Sequence, residues 1–364
     1  MSELGLSEDQ RDLAGMARSF FAEHTDLNAL LAETVPDPLW SDQQLRAAGD
    51  LGLTALLAAD GGGTHTDLAV VVEQLGHTGS ALPVGTSALA VGLGEAAGIS
   101  SVGLGEAAAG LGLATVVAAE PGAPELFGKP AGDGGLLLSG RADFVPAGAV
   151  ADYLLVLART AEGGAVLAVV DAGVDGLTVT RRTVLDISRR FASVELESVV
   201  VGAGGWAAGE QAEAAFALAR DAASVHAAAD ALGASARLLE MTVEHVRTRE
   251  QFGRAVGSFQ AVKHHCATMA ADLELSRAVV LAAMRALDGE PGARAGAVSA
   301  AASFAGDACS RAASLALQLH GGMGFTWEQQ VHVFLRRVKT DELLAGTPRW
   351  HRDRLLKVLE PAVQ

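Results

Sequence analysis

Three stretches with different hydrophobic periodicity follow one another along the chain. In the first hundred-odd residues, apolar positions recur every three or four residues behind capping residues such as Ser7 and Ser41, which predicts helices. The period then shortens to that of strands, in runs such as "LATVVAA", "DYLLVLART" and "GAVLAVVDA". Helical spacing returns afterwards. The pattern predicts an α+β fold with a helical domain, a middle antiparallel β domain and a C-terminal four-helix bundle, at residues 1–112, 113–205 and 206–364.

The longest helical pattern lies in the C-terminal third, within "SFQAVKHHCATMAADLELSRAVVLAAMRAL". Its apolar residues keep a spacing of three to four for some seven turns: Val262, Cys266, Met269, Leu273, Val280, Met284 and Leu287. Such a stripe is typical of a helix that packs in the core of a bundle.

Composition and charge exclude several classes of partner. The chain has 364 residues and a formal net charge of −16, so a nucleic acid or an anionic membrane would repel it. The two cysteines, Cys266 and Cys309, are too few for a disulfide framework or a zinc site. Acidic residues within the first ten positions do not fit a signal peptide, and no apolar run predicts a membrane span. We therefore expect a cytoplasmic protein.

Two C-terminal segments carry residue types that suit a nucleotide. In "RTREQFGRAVGSFQAVKH", the guanidinium of Arg249 suits a pyrophosphate, the ring of Phe252 an aromatic base, and the amide of Gln260 a phosphate or adenine edge. In "QLHGGMGF", Gly321 and its neighbouring glycine allow close approach of a ligand to the backbone. Each segment taken alone is also compatible with an ordinary helix end, so this alternative stays open.

The histidines do not indicate a metal. His264 and His265 are adjacent and point to different faces of a helix, while His320 lies far away in the sequence. No Ser or Cys stands in a nucleophile-elbow pattern. The sequence therefore predicts no metal site and no nucleophilic hydrolase.

Together, the two C-terminal segments and the order of the domains resemble the acyl-CoA dehydrogenase family over nearly the whole chain. The resemblance implies FAD bound between subunits, with the adenosine diphosphate contacted by this chain and the rest of the flavin held mainly by a neighbour. Thr347 matches a threonine that reaches the flavin. The other residues implied in cofactor binding are Arg249, Phe252, Val256, Gln260, Gln318, Gly321 and Gly322.

The chain departs from the family pattern where the flavin ring is held. The family's "TEPGxGSD" is "AEPGAPEL" here, with Ala119 and Glu125 in place of hydroxyl residues. In "FVPAG", Pro146 stands where a threonine normally binds the flavin. Proline has neither a hydroxyl nor an N–H, so the resemblance implies a weakened flavin-ring cradle on this chain.

The family's chemistry also needs a carboxylate that removes the α-proton of the thioester. Its two usual positions correspond to Ala345, in "LLAGT", and to Ala223, so no catalytic residue is assigned. Asp221 is a weak candidate, because it lies two residues before Ala223. Two residues along a helix rotate a side chain by about 200°, so Asp221 should face away from a site that residue 223 reaches. Glu342 and His226 are further candidates, although a histidine in an Ala-rich helix is more often a core residue.

The resemblance therefore implies an acyl-CoA dehydrogenase subunit that lacks its own base and works in an α2β2 heterotetramer with a base-bearing homologous chain. Such heteromers are known in the family for actinobacterial degradation of steroid-derived CoA thioesters. The electron acceptor implied is an electron-transferring flavoprotein. Two alternatives stay open: a self-sufficient homotetramer with an atypical base such as Asp221, and a flavin-free scaffold subunit.

Overall fold

The computed structural model describes residues 5–32, 38–132 and 134–360. Within these residues, five α-helices precede the strands. Their bounds are α1 Glu8–Glu23, α2 Asp42–Asp50, α3 His65–Thr78, α4 Val84–Ala96 and α5 Val102–Ala108. Ser7 and Ser41 cap α1 and α2, each in a reciprocal capping box with the glutamine three residues later, which confirms both predicted caps.

Eight strands form one sheet after these helices. They are β1 Ala114–Val117, β2 Phe127–Pro130, β3 Leu136–Pro146, β4 Tyr153–Arg159, β5 Ala165–Asp171, β6 Leu177–Arg182, β7 Phe191–Val201 and β8 Trp206–Ala208. The strand order is β6-β7-β3-β2-β4-β5-β8, and β1 pairs with β4 beside this path.

The sheet differs from the predicted antiparallel arrangement at β4. Both β1 and β2 pair with β4 in parallel, β1 through Ala114 with Tyr153 and β2 through Phe127 with Arg159, whereas the other pairs are antiparallel. Two short strands thus follow each other along one edge of β4. The last strand begins at Trp206, one residue beyond the expected end of the β domain. The sequence did not predict this strand, because its three residues are too few to show an alternating pattern.

The remaining helices form the C-terminal region. A long helix leads into a short exposed hairpin and then into an antiparallel helical pair. The elements are α6 Glu210–Thr248, the hairpin strands β9 Glu250–Gln251 and β10 Arg254–Ala255, α7 Gln260–Leu287, α8 Pro291–His320, α9 Val331–Asp341 and α10 Pro348–Leu359. Helices α6, α7 and α8 pack on one another, and α9 and α10 pack on α8. The fold is therefore the predicted one: helices, a middle sheet and a C-terminal helical region.

Glycines bring α3 against α6, the two helices that carry much of the central core. A Cβ on Gly233 would lie 1.9 Å from the carbonyl oxygen of Glu73, and one on Gly76 would lie 2.1 Å from that of Asp230. Only glycine permits this approach. Because the two backbones nearly touch, α3 fixes the position of the middle of α6.

Among the described helices, none is both long and apolar enough to cross a lipid bilayer.

Candidate functional site

A cavity of about 220 Å³ lies where α3, α4 and α6 meet the β domain. Ala223 of α6 and Ala345, which follows α9, both line it, so the fold brings together the two positions at which the sequence predicts a missing base. The hydroxyl of Ser224 donates to the carbonyl oxygen of Ala345 at 3.3 Å and joins the two segments. Neither alanine can accept a proton from a substrate.

The turn at Ala345 has an unusual backbone. Ala345 adopts φ 58° and Gly346 adopts φ 122°, both in the region that favours glycine. Thr347 then begins α10, and its hydroxyl accepts from the N–H of Trp350 at 3.2 Å. The sharp turn places the Ala345 methyl, the smallest side chain with a Cβ, at the cavity wall.

The alternative acids from the sequence do not line this cavity. The carboxylate of Asp221 is 3% exposed and lies between Arg294, at 3.0 Å, and Arg354, at 2.6 Å. Glu342 accepts from Ser310 at 2.9 Å and pairs with Lys339 at 3.3 Å. Both side chains are held by these partners, and neither residue lines the cavity.

Three of the described cavity-lining residues carry carboxylates. Asp143 is paired with Arg141 at 3.1 Å and Arg182 at 3.3 Å, and Asp230 is paired with Arg337 at 2.6 Å.

The third carboxylate, Glu120, follows β1 in the segment "AEPG" and forms no ion pair among the described residues. Burial raises the pKa of Glu120, and the nearby charge of Arg220 opposes this shift. Glu120 is thus the cavity carboxylate that is free to take a proton, and the sequence motif alone did not single it out.

Two backbone groups expected on the ring side of a flavin site, at Pro146 and Ala147, offer no free donor in the described part of the chain. Pro146 has no N–H, and its carbonyl oxygen already accepts from the hydroxyl of Thr115 at 2.6 Å. The N–H of Ala147 donates to the carbonyl oxygen of Arg190 at 2.7 Å and is therefore also engaged. A flavin pyrimidine needs several donors, and neither Pro146 nor Ala147 can supply one.

The residues expected to hold the adenosine diphosphate lie at the far end of α6. Arg249 ends the helix, and its carbonyl accepts from the N–H of Val256 at 2.8 Å, which closes the hairpin between α6 and α7. Phe252 at the hairpin tip is 92% exposed and has φ 55°. Gln260 opens α7 and is exposed. An exposed arginine, phenyl ring and amide fit the chemistry of a nucleotide.

The end of α8 lies beside this hairpin. His245 of α6 and His320 of α8 stack with ring centroids 4.4 Å apart. This contact brings exposed Gln318 to the same end of the bundle as Arg249. Gly321, with φ 60°, and exposed Gly322 continue that surface without side chains. The structure thus places the implied nucleotide residues together, with Thr347 apart from them and next to the cavity.

The two halves of the implied flavin site are far apart on this chain. Ala223 lines the cavity and Arg249 ends the same helix 26 residues later, about 39 Å away at 1.5 Å per residue. A single FAD molecule does not span that distance. If both regions take part in flavin binding, each must therefore be completed by another chain.

His226 is a cavity residue that sequence reasoning set aside as core. It lies one helical turn after Ala223, is 8% exposed and lines the cavity. Its Nε2 atom is buried and has no hydrogen-bond partner among the described residues. An unmet buried polar group costs about 1–3 kcal/mol, so this nitrogen is a destabilising feature of the folded chain. The sequence signal that could have identified His226 is its position three residues, or one helical turn, after Ala223.

Buried histidines near the cavity make stability depend on pH. Burial lowers the pKa of His226 to about 3 and that of His351 to about 4, below the usual 6.5. Between pH 6.5 and pH 4 the unfolded chain binds a proton at each histidine that the folded chain does not, so stability falls as the pH falls. The expected slope is about 1.4 kcal/mol per pH unit for each histidine.

This dependence is measured by urea unfolding at pH 7.5, 6 and 5 for the parent chain and for His351→Asn. The variant should lose stability less steeply between pH 6 and 5, by about one proton in the linkage slope. Exposed His264→Asn is the matched control. Parallel stability curves for the parent and His351→Asn would contradict the prediction.

No group of three or more His, Cys, Asp or Glu residues in the described ranges could hold a metal ion. Cys309 is buried, and burial raises the pKa of its thiol to about 12. This thiol is therefore unsuited to act as a nucleophile.

Comparisons with known proteins agree with the predicted family. Residues 207–360 match the family model for the C-terminal domain of acyl-CoA dehydrogenase. Acyl-CoA dehydrogenase IpdE2 of Mycobacterium tuberculosis is 39% identical over 129 residues, which cover 35% of this chain and 39% of that protein. IpdE2 of Mycolicibacterium smegmatis is 34% identical over 181 residues, which cover 50% of this chain and 53% of that protein. The chain thus spans about half or less of these curated relatives.

A solved structure extends the likeness to the full length. A chain in the ChsE4-ChsE5 complex from Mycobacterium tuberculosis superposes with a TM-score of 0.87 and 26% identity, covering 99% of both chains. The sequence-based resemblance and the fold class are therefore confirmed.

Proposed function

We propose that this chain, a member of the acyl-CoA dehydrogenase family by its fold and its C-terminal domain, is the base-less subunit of an FAD-dependent acyl-CoA dehydrogenase. It would act in an α2β2 heterotetramer with a homologous chain that bears the catalytic carboxylate. The observation that carries this proposal is the pair of alanines, Ala223 and Ala345, at the two base positions of one cavity.

The contribution of this chain is to bind and orient the cofactor. Bound FAD supplies the two-electron acceptor for the β-hydrogen of the acyl thioester. Arg249 would neutralise the diphosphate, Phe252 would cover the adenine, and Gln260 and Gln318 would fix the orientation through hydrogen bonds. The partner would then hold the flavin ring and supply the carboxylate that removes the proton. The electrons taken from the substrate would pass on to an electron-transferring flavoprotein.

Two further observations support a shared site. The distance of about 39 Å between the cavity and the hairpin prevents one flavin from using both on a single chain. The similar structure from Mycobacterium tuberculosis is a complex of two chains, ChsE4 and ChsE5. A homologous partner of this chain is consistent with both.

A second candidate function is a self-sufficient homotetrameric dehydrogenase. Glu120 favours it, because this carboxylate lines the cavity, pairs with no cation in the described part of the chain, and has a raised pKa. Asp221, the acid considered from the sequence, suits this role less well because two arginines hold it. In such an enzyme Glu120 would have to act as the base, although neither Pro146 nor Ala147 has a backbone N–H free for a flavin ring.

An absorption spectrum distinguishes the two functions. The chain expressed alone should carry little flavin and show no bleaching with acyl-CoA, whereas co-expression with the neighbouring homologous gene should give a yellow complex that bleaches. Flavin on the lone chain, with acyl-CoA-dependent bleaching that Glu120→Gln abolishes, would establish the homotetramer instead. If both the lone chain and the co-expressed preparation lack flavin, the result supports a flavin-free scaffold subunit.

A further inference from the structure

Charged side chains from three parts of the fold form a buried cluster beside the cavity. They are Asp186 and Arg189 of the loop between β6 and β7, Asp230 of α6, and Arg337 and Asp341 of α9. The side chains of the three aspartates are at most 7% exposed. The cluster thus joins the β domain to α6 and α9 through largely buried groups.

One carboxylate oxygen of this cluster lacks a donor. Both oxygens of Asp230 accept from Arg337, at 2.6 and 2.7 Å. Those of Asp186 accept from the loop that carries it, and Oδ1 of Asp341 accepts from Arg189 at 2.7 Å. Oδ2 of Asp341 is buried and has no hydrogen-bond partner among the described residues. A buried, ionised oxygen without a donor is costly, so this position favours the protonated acid.

The acceptor for such a proton is the carboxylate of Asp230. Asp341 and Asp230 lie within hydrogen-bond reach of each other, where two ionised carboxylates can only repel. Burial alone would raise the pKa of Asp230, but the charge and hydrogen bonds of Arg337 hold this pKa below its usual value. For Asp341, burial raises the pKa well above its usual value against the charge of Arg189, and the Asp230 carboxylate adds to the shift. The two pKa values thus separate, with Asp341 as donor and Asp230 as acceptor.

The other titratable and charged groups around Asp341 do not replace this proton. Cys309 of α8 faces it, but burial raises the pKa of that thiol to about 12, so the thiol is neutral at physiological pH. Arg190 lies near Asp186, and its Nη1 donates to backbone carbonyl oxygens of its own loop. Neither group supplies a donor to Oδ2 of Asp341.

We propose that Asp230 and Asp341 share one proton and that this pair is a pH-sensitive contact between α6 and the end of α9. Helix α9 ends at Asp341, and the turn that follows leads to Ala345 in the cavity wall. Loss of the proton sets two carboxylates against each other and releases this turn. The contact needs neither flavin nor a catalytic base, so it goes beyond the proposed function and does not rest on it.

The folded chain keeps a proton on Asp341 that the unfolded chain loses above about pH 3.9. The stability from this group is therefore complete below about pH 3.9 and is lost as the pH rises toward the folded pKa. Asp341→Asn removes this dependence, because its amide N–H can donate to Asp230 and its carbonyl oxygen can accept from Arg189. Urea unfolding of both full-length chains gives the ratio of unfolding equilibrium constants, parent over variant. This ratio should rise about tenfold, or about 1.4 kcal/mol, between pH 5 and pH 6. The buried histidines are the same in both chains and cancel in the ratio.

Glu342→Gln is the matched control. Glu342 adjoins Asp341, but its carboxylate is bound by Ser310 and Lys339 outside the cluster. The ratio of parent to this variant should change less than about twofold. Asp230→Asn removes the acceptor of the proton and leaves Asp341 to ionise, so its ratio should rise about tenfold, as for Asp341→Asn. A constant ratio for Asp230→Asn would assign the proton to Asp341 alone and overturn the shared pair.

Hydrogen exchange locates the effect in the turn after α9. The N–H groups of Leu343 and Leu344 donate to the carbonyl oxygen of Thr340 at 3.0 and 3.1 Å. Their exchange rate in the parent, divided by that in Asp341→Asn, should also rise about tenfold between pH 5 and pH 6, since opening of this turn exposes Asp341. A constant ratio in unfolding or in exchange would overturn the proposal, and so would an Asp341→Asn chain that is less stable than the parent at pH 6 or does not fold. The flavin content of the same preparations reports on the proposed function separately.

Discussion

Replacing Arg337 with methionine is expected to lower the free energy of unfolding by about 3–5 kcal/mol. Arg337 is 2% exposed, and its Nε and Nη2 donate to the two carboxylate oxygens of Asp230 at 2.6 and 2.7 Å. Its Nη1 donates to the carbonyl oxygen of Ser80 at 2.7 Å. Methionine keeps much of the volume but leaves the Asp230 carboxylate buried without its main partner. Urea unfolding followed by circular dichroism measures the loss.

The surrounding charges explain why this loss is large. Two guanidinium groups, of Arg189 and Arg337, face three buried carboxylates, of Asp186, Asp230 and Asp341. Burial raises the pKa of Asp341 well above its usual value, which disfavours a third negative charge in this cluster. Removing one guanidinium leaves an excess of negative charge among largely buried groups.

Two further variants test this account of the Arg337 effect. Arg352→Met removes an exposed arginine that pairs with Asp307 at 2.7 Å, and it should cost less than about 1 kcal/mol. The double variant Arg337→Met with Asp230→Leu should recover part of the stability, because it removes the stranded carboxylate. Equal losses for Arg337→Met and Arg352→Met would show that the buried cluster adds nothing to stability.

The sequence was informative wherever the physics is local. Ser7 and Ser41 cap helices because a hydroxyl three residues before a glutamine satisfies free N–H groups at a helix start, and this needs no tertiary contact. Strand β2, at Phe127, was missed because its short, mostly exposed run has no apolar alternation and owes its pairing to neighbouring strands. Such elements are set by their context, which periodicity does not record.

The candidate site divides in the same way. Arg249, Phe252 and Gln260 lie within one short segment, so the spacing of the motif already predicted their common surface. The Asp230–Arg337 pair joins residues 107 positions apart, and Glu120 meets α6 only through the fold. Neither the pairing of the cavity carboxylates nor the unmet nitrogen of His226 follows from residue type. Both depend on which groups lie within hydrogen-bond distance of one another in the folded chain.

The loss of the Arg249 side chain should have the largest effect on the cofactor. In the co-expressed complex, Arg249→Ala is expected to weaken FAD binding about 10- to 100-fold, since a hydrogen bond from a charged group contributes about 1.5–3 kcal/mol. Arg249 is exposed at the end of α6 and makes no ion pair among the described residues, so its removal leaves the fold intact. Flavin absorbance per complex after dialysis, together with a fluorescence titration of FAD, measures the effect.

Arg247→Ala supplies the matched control for this prediction. Arg247 is an exposed arginine on the last turn of the same helix, two residues earlier, and therefore points about 200° away from Arg249. Both variants remove one positive charge from the same helix end, so a general electrostatic contribution would weaken FAD binding equally in the two. A specific contact with the diphosphate affects Arg249→Ala alone. Unchanged flavin content in Arg249→Ala would remove this residue from the cofactor site, and with it the main contribution that the hairpin makes to the shared flavin.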